Sequence, residues 1–134
     1  MAVERGPRTI VDAMNVIGSR PDGWWRDRRG AMARLADALR ALGEPVWVVF
    51  DGRRWEGAPG DGGGVRVRFA PGGRDAADDE IARMVEADPD PASLQVVTSD
   101  GALASRVRAA GASVQGAGSF RDRLEGGGGG RAGA

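Results

Sequence analysis

A chain of 134 residues with 19 basic and 19 acidic side chains has room for one domain with a core, and exerts no bulk attraction on polyanions. It contains no His, Cys, Tyr or Lys, which excludes Ser-His and Cys-His nucleophilic catalysis, lysine Schiff bases, zinc held by His or thiolate, and disulfides. No apolar run nears the roughly 18 residues that span a bilayer, and nothing resembles a signal peptide, so a cytoplasmic protein with no membrane partner is expected.

Thr9-Ile10-Val11 reads as a short strand ending at Asp12. From Arg26 to Leu42, Met32, Leu35, Ala36, Leu39 and Leu42 recur at helical spacing, and Gly43 supplies the stop. Val46 to Phe50 is a continuous apolar run, as a parallel strand buried on both faces requires. A glycine-rich loop over 57–64 leads to Val65-Arg66-Val67-Arg68-Phe69, whose alternation predicts a half-exposed strand near a sheet edge. A helix follows over 75–86, acidic in its first turn and turning Ala77, Ile81, Met84 and Val85 inward. Leu94 to Thr98 is another buried strand, followed by a short helix with Leu103 and Val107, a weak strand near 112–114, and a last helical turn pairing Phe120 with Leu124. Strands alternating with helices predict a three-layer α/β/α sandwich around a mainly parallel sheet of four or five strands. One domain over 1–124 and a disordered Gly-rich tail over 125–134 complete the expected organisation.

With His, Cys and Lys absent, carboxylates must carry any catalysis, most naturally by holding Mg²⁺ or Mn²⁺ through oxygen. Asp12, Asp51 and Asp100 each stand at or just beyond a predicted strand end, where open parallel sheets place their ligand sites. Asp75, Asp78 and Asp79 open a helix at the same rim; a favourable N-terminus accounts for one carboxylate, not three. Arg20, Arg26, Arg28, Arg29, Arg53, Arg54 and Arg74 also follow strand ends, and Trp24, Trp25 and Trp55 share their loops. Arginine with planar aromatics suits phosphates and unstacked bases, which makes RNA the expected partner. Homo-oligomerisation is left open. Asp12-Ala13-Met14-Asn15 lacks the second aspartate of a haloacid-dehalogenase phosphatase, a receiver domain lacks its lysine, and no GxGxxG or GxxxxGK[ST] follows a strand.

Five stretches, in order, carry a family resemblance. "VDAMNVIG" resembles the opening of NYN domains of the YacP-like branch in the PIN-like nuclease superfamily, and "VFDGR" its second strand end. "DAADDEI" resembles its acidic helix start, and "VVTSDGAL" its Thr-Ser-Asp turn; "SFRDRL" is similar to its C-terminal end. The resemblance implies a PIN-like sheet of order 3-2-1-4-5 and metal-dependent ribonuclease activity. Carried over by position, it implies that Asp12, Asp78 and Asp100 hold the metal and, with Asn15, form the catalytic set. It gives Ser99 a supporting role and makes Asp75 and Asp79 candidates for outer-sphere contacts or a second ion, with Asp51 beside them at the rim. Ala13 and Met14 replace the Gly and aromatic often found in the opening motif. The expected function is a Mg²⁺/Mn²⁺-dependent endoribonuclease. Its rivals are a PIN-like RNA- or protein-binding module without hydrolysis, and a metal-dependent phosphohydrolase of small nucleotides.

Overall fold

The run Val46–Phe50 has two apolar faces to bury, and a fully parallel sheet flanked by helices on both sides is the arrangement that buries them. The structure, a computed structural model, describes residues 8–130 and contains that sheet. Its strands are β1 (Thr9–Asp12), β2 (Val46–Asp51), β3 (Val65–Ala70), β4 (Gln95–Val97) and β5 (Ser113–Gln115), in the order β3-β2-β1-β4-β5. All four pairings are parallel. The alternating strand β3 takes an edge, as its half-polar pattern requires, and Asp61 Oδ1 accepts the Val67 amide there at 2.8 Å.

Helices α1 (Ala13–Ile17), α2 (Arg28–Leu42) and α5 (Ala117–Gly130) cover one face, and α3 (Ala76–Ala87) and α4 (Gly101–Ala109) the other. Strand periodicity divides the core accordingly. Val11, Val48, Phe50, Val67 and Val97 meet Met32, Leu35, Leu39 and Phe120 on the first face. Ile10, Val49 and Val96 meet Ile81, Val85, Leu103 and Val107 on the second. No helix among the described residues is long and apolar enough to cross a membrane.

The sequence-based outline differs at three places. Helix α2 begins at Arg28 rather than Arg26, because Asp27 Oδ1 accepts the Gly30 amide at 3.0 Å and fixes the cap there; a 3₁₀ turn occupies Trp24–Arg26. Helix α1 was not anticipated, since five residues are too few to show a period. Helix α5 runs past Leu124 to Gly130, held at Glu125 by Arg121 from within the helix (3.0 Å) and by Arg20 from outside it (2.6 Å). The first part of the expected tail is therefore helical, and 131–134 lie outside the described residues.

Candidate active site

Strand periodicity also aims the polar ends of the strands. Successive side chains alternate faces, so Asp12 shares the α3/α4 face with Ile10, Thr98 with Val96, and Asp51 with Val49. Ile10 is in register with Val96, which brings Asp12 beside Thr98. Thr98 Oγ1 donates to Asp12 Oδ2 at 2.8 Å and accepts the Asp100 amide at 3.1 Å. Asp12 is 4% exposed, and although it precedes α1 its side chain makes no capping bond. Asp51 Oδ1 accepts the Ala77 amide at 3.3 Å, joining the end of β2 to the start of α3.

Helical phase sorts the acidic triplet. Asp78 stands three, four and seven residues before the buried Ile81, Ala82 and Val85, so it lies on the inward stripe of α3. Asp79 falls on the outward side and bonds Arg106 of α4 at 2.8 Å, its side chain 63% exposed. Asp75 is the exposed residue preceding α3. Asp100 caps α4, accepting the Leu103 amide on Oδ1 at 2.9 Å. Asn15 Oδ1 accepts the Ser99 amide at 2.7 Å, and Ser99 Oγ accepts the Ala117 amide at 2.8 Å. Both therefore hold the turn carrying Asp100: Asn15 ties it to α1, and Ser99 ties it to α5.

Burial, opposed by the Thr98 hydrogen bond and reinforced by Asp78, Asp51 and Asp100, pushes Asp12 up to about 7. Burial, with Asp100, Asp51, Asp75 and Asp79 nearby, raises Asp78 to about 6. Asp51 is raised by burial too, while the Ala77 amide and Arg28 pull the other way. Among the described residues, none of Asp12, Asp51, Asp75, Asp78 and Asp100 is ion-paired. This is concentrated negative charge, relieved among the described residues only at a distance, as by Arg28 on Asp51. As the side chains lie, no three carboxylates among the described residues form a metal-holding group. The donor set is nonetheless all oxygen, the chemistry that suits Mg²⁺ or Mn²⁺.

The arginines and tryptophans divide into two groups. Arg20 is bound by Asp122 and Glu125 on α5, and Trp24 packs against the core, so neither faces the carboxylates. Trp24 instead lines an apolar cavity of about 320 Å³ with Val16, Leu35 and Arg121, which holds none of the rim aspartates. Arg28 reaches Asp51 electrostatically, Arg29 lies over Trp55 at 4.8 Å, and Arg54 lies over Phe69 at 4.7 Å. Arg53 is exposed beyond Gly52; Trp25, 54% exposed, has Arg26 at 5.7 Å from its ring. Thr98 is the site residue that sequence reasoning passed over. Its signal was positional: it is the first polar residue after a buried strand that pairs with β1.

The model of the YacP-like NYN domain matches residues 9–126. The chain belongs to this family. NYN domains form a nuclease family, and the sheet order 3-2-1-4-5 is the PIN-like one. The solved structure of Rae1 (YacP) from Bacillus subtilis is similar at 23% identity and a TM-score of 0.69, covering 87% of this chain and 72% of that one. A single-substitution mutant of it is 25% identical with a TM-score of 0.68, covering 87% and 74%. No curated protein matches the chain. In this YacP-like NYN domain the family match extends over every rim aspartate.

Proposed function

We propose that this domain is an endoribonuclease that hydrolyses RNA phosphodiester bonds at the carboxylate rim, with Mg²⁺ or Mn²⁺ held by Asp12, Asp78 and Asp100. The observation that carries this is a buried Asp12, raised to about 7, among aspartates that form no ion pair with any described arginine, inside a nuclease-family domain. Such a cluster is costly for a fold unless a cation completes it. A divalent ion there supplies the charge that activates water and stabilises the leaving oxygen. Thr98 orients Asp12 through Oγ1, while Asn15 and Ser99 fix the turn that presents Asp100. Asp12 gives up its proton when a cation is held beside it. Asp51, Asp75 and the outward Asp79 shape the surrounding field.

The deciding assay sets single-stranded RNA against nucleoside triphosphates, each with Mn²⁺ and with chelator. RNA cleavage that chelator abolishes is expected. RNA binding without cleavage identifies a binding module, and turnover of triphosphates alone identifies a nucleotide phosphohydrolase.

Protons compete with cations for these carboxylates, which sets a pH dependence. At limiting Mn²⁺, cleavage should fall as pH drops through about 7 and then about 6, where Asp12 and Asp78 protonate. Raising Mn²⁺ should move the midpoint to lower pH. A midpoint indifferent to Mn²⁺ would detach the titration from ion binding.

Arg20 gives a contrasting expectation. Held by Asp122 and Glu125, it is unavailable to phosphates. Arg20→Gln should leave RNA affinity and its salt dependence unchanged and lower stability by less than about 1 kcal/mol, the scale of exposed ion pairs. Affinity titrations over a salt series check this, and a tenfold loss of affinity would return Arg20 to the RNA surface.

A further inference from the structure

The arginines of the rim are distributed unevenly. On α4 and α5, Arg106 is committed to Asp79, and Arg121 to Asp22 and Glu125. On the β2–β3 side, Arg28, Arg53, Arg54 and Arg74 enter no ion pair among the described residues. Two of these meet across a shallow depression of about 380 Å³, lined by Arg28, Asp51, Gly52, Gly73 and Arg74. Its glycines have φ of 98° at Gly52 and 105° at Gly73, backbone conformations that side chains rarely adopt. A Cβ built on either would meet no atom within 4 Å. Glycine is there for the chain's path, and it leaves the wall of the depression bare.

Neither arginine is placed to support the fold. Arg28 is the first residue of α2 and Arg74 precedes α3, and positive charge is unfavourable at a helix N-terminus. Each gives up that local stability at a position that overlooks Asp51. Two guanidinium groups across an open depression suit an oxygen-rich dianion or a backbone phosphate. Arg74 also lines a second depression of about 510 Å³, with Asp75, Asp79, Glu80 and Arg83, where Arg83 is paired with Glu80 and Arg74 enters no ion pair among the described residues. Arg28 and Arg74 are thus the unpaired guanidinium groups that meet beside Asp51, whereas Arg106 and Arg121 are committed to carboxylates.

We propose that Arg28 and Arg74 clamp a backbone phosphate of the RNA beside the carboxylates, so that the strand crosses the β2–β3 half of the rim. This assigns Arg74 a substrate-binding role and gives the bound strand a path. It rests on the ribonuclease reading above, and the test separates the two.

Affinity for a single-stranded RNA would be titrated over a salt series for wild type, Arg74→Gln, Arg28→Gln and their double. Arg108→Gln, late in α4 and away from the strand ends, serves as the control. Steady-state cleavage and Mn²⁺-induced thermal stabilisation would be recorded beside them. Each single change should weaken binding about tenfold and lower the salt slope by up to about 0.7. KM should rise with kcat retained, because a phosphate that is not reacting contributes equally before and at the transition state. Mn²⁺ stabilisation and the Arg108→Gln variant should match wild type. If wild type binds and cleaves RNA while both single variants match it in affinity and slope, the clamp is refuted and the ribonuclease reading stands. If wild type neither binds nor cleaves RNA, both fall. Loss of Mn²⁺ stabilisation in Arg74→Gln would make the arginine a support for the carboxylates and likewise overturn the clamp.

Discussion

Replacing Asp12 by asparagine should make the ion-free protein more stable at pH 8 and, in the same stroke, inactive. Asp12 rises from its ordinary 3.8 to about 7 in the folded chain. Between those values the native state binds a proton that the unfolded state does not, so stability falls as pH rises across that window. Above about 7 the whole cost is present. It corresponds to about 4 kcal/mol as an upper figure, at 1.36 kcal/mol for each tenfold change in acidity. Asparagine carries no charge to desolvate and keeps a carbonyl for Thr98 Oγ1. The variant should therefore melt several degrees above wild type in chelator at pH 8, at about 3 °C per kcal/mol. The gap should close as pH falls toward 4. Excess Mn²⁺ should reverse the order, because it stabilises only the protein that binds it, by about 2.7 kcal/mol at a hundred times Kd. Calorimetry with and without Mn²⁺ at two pH values checks all of this. A variant less stable than wild type in chelator at pH 8 would mean that favourable contacts hold the Asp12 carboxylate, and the ion-site assignment would fail.

Asp78→Asn should abolish RNA cleavage, whereas its neighbour Asp79→Asn should change the rate by less than about threefold. Successive residues of a helix point about 100° apart. Asp78 shares the stripe of Ile81 and Val85 and sits in the field of Asp51 and Asp100; Asp79 faces solvent and Arg106. Removal of groups that merely support metal ligands costs 10–100-fold, so loss of a ligand should exceed about a hundredfold. Removal of an exposed ion-pair partner costs at most about 1 kcal/mol of stability. Arg106→Gln provides the check on the second half, since it breaks the same pair from the other side and should behave like Asp79→Asn. Single-turnover cleavage in saturating Mn²⁺ ranks the three. If Asp79→Asn is the dead variant, the inward face of α3 has been assigned one residue out of place.

The layers of the sandwich were legible because each follows from a period. Val46 to Phe50 is apolar at every position and became a strand inside the sheet; Val65 to Phe69 alternates and became its edge. Asp12, Asp51 and Asp100 could be placed at strand ends because each closes an apolar run. What lay beyond reach is set by register and by partners distant in the chain. The Thr98–Asp12 bond depends on β1 lying beside β4, which no local pattern encodes. Arg20 and Arg28 look alike in sequence, each basic and each in a loop or at a helix start. One pairs with two carboxylates of α5, about a hundred residues away, and the other reaches Asp51 through its field without an ion pair. The inward phase of Asp78 could have been counted from Ile81 and Val85, whereas the pairing of Asp79 with Arg106 needed the packing of α3 against α4.

The turn at Ser99 has a consequence for how the domain is made. Asp12 leaves the ribosome first, yet its hydrogen-bond partner lies 86 residues later, and the Ser99 hydroxyl accepts the Ala117 amide at the start of α5. Chain closure over such separations is late and slow compared with forming a helix. While the chain is being synthesised, β1 can pair with β2 and Asn15 can take the Ser99 amide once β4 is in place, but the tie from Ser99 to α5 forms last. A chain stopped before Ala117 thus carries every rim aspartate and lacks the tie between the Asp100 turn and α5.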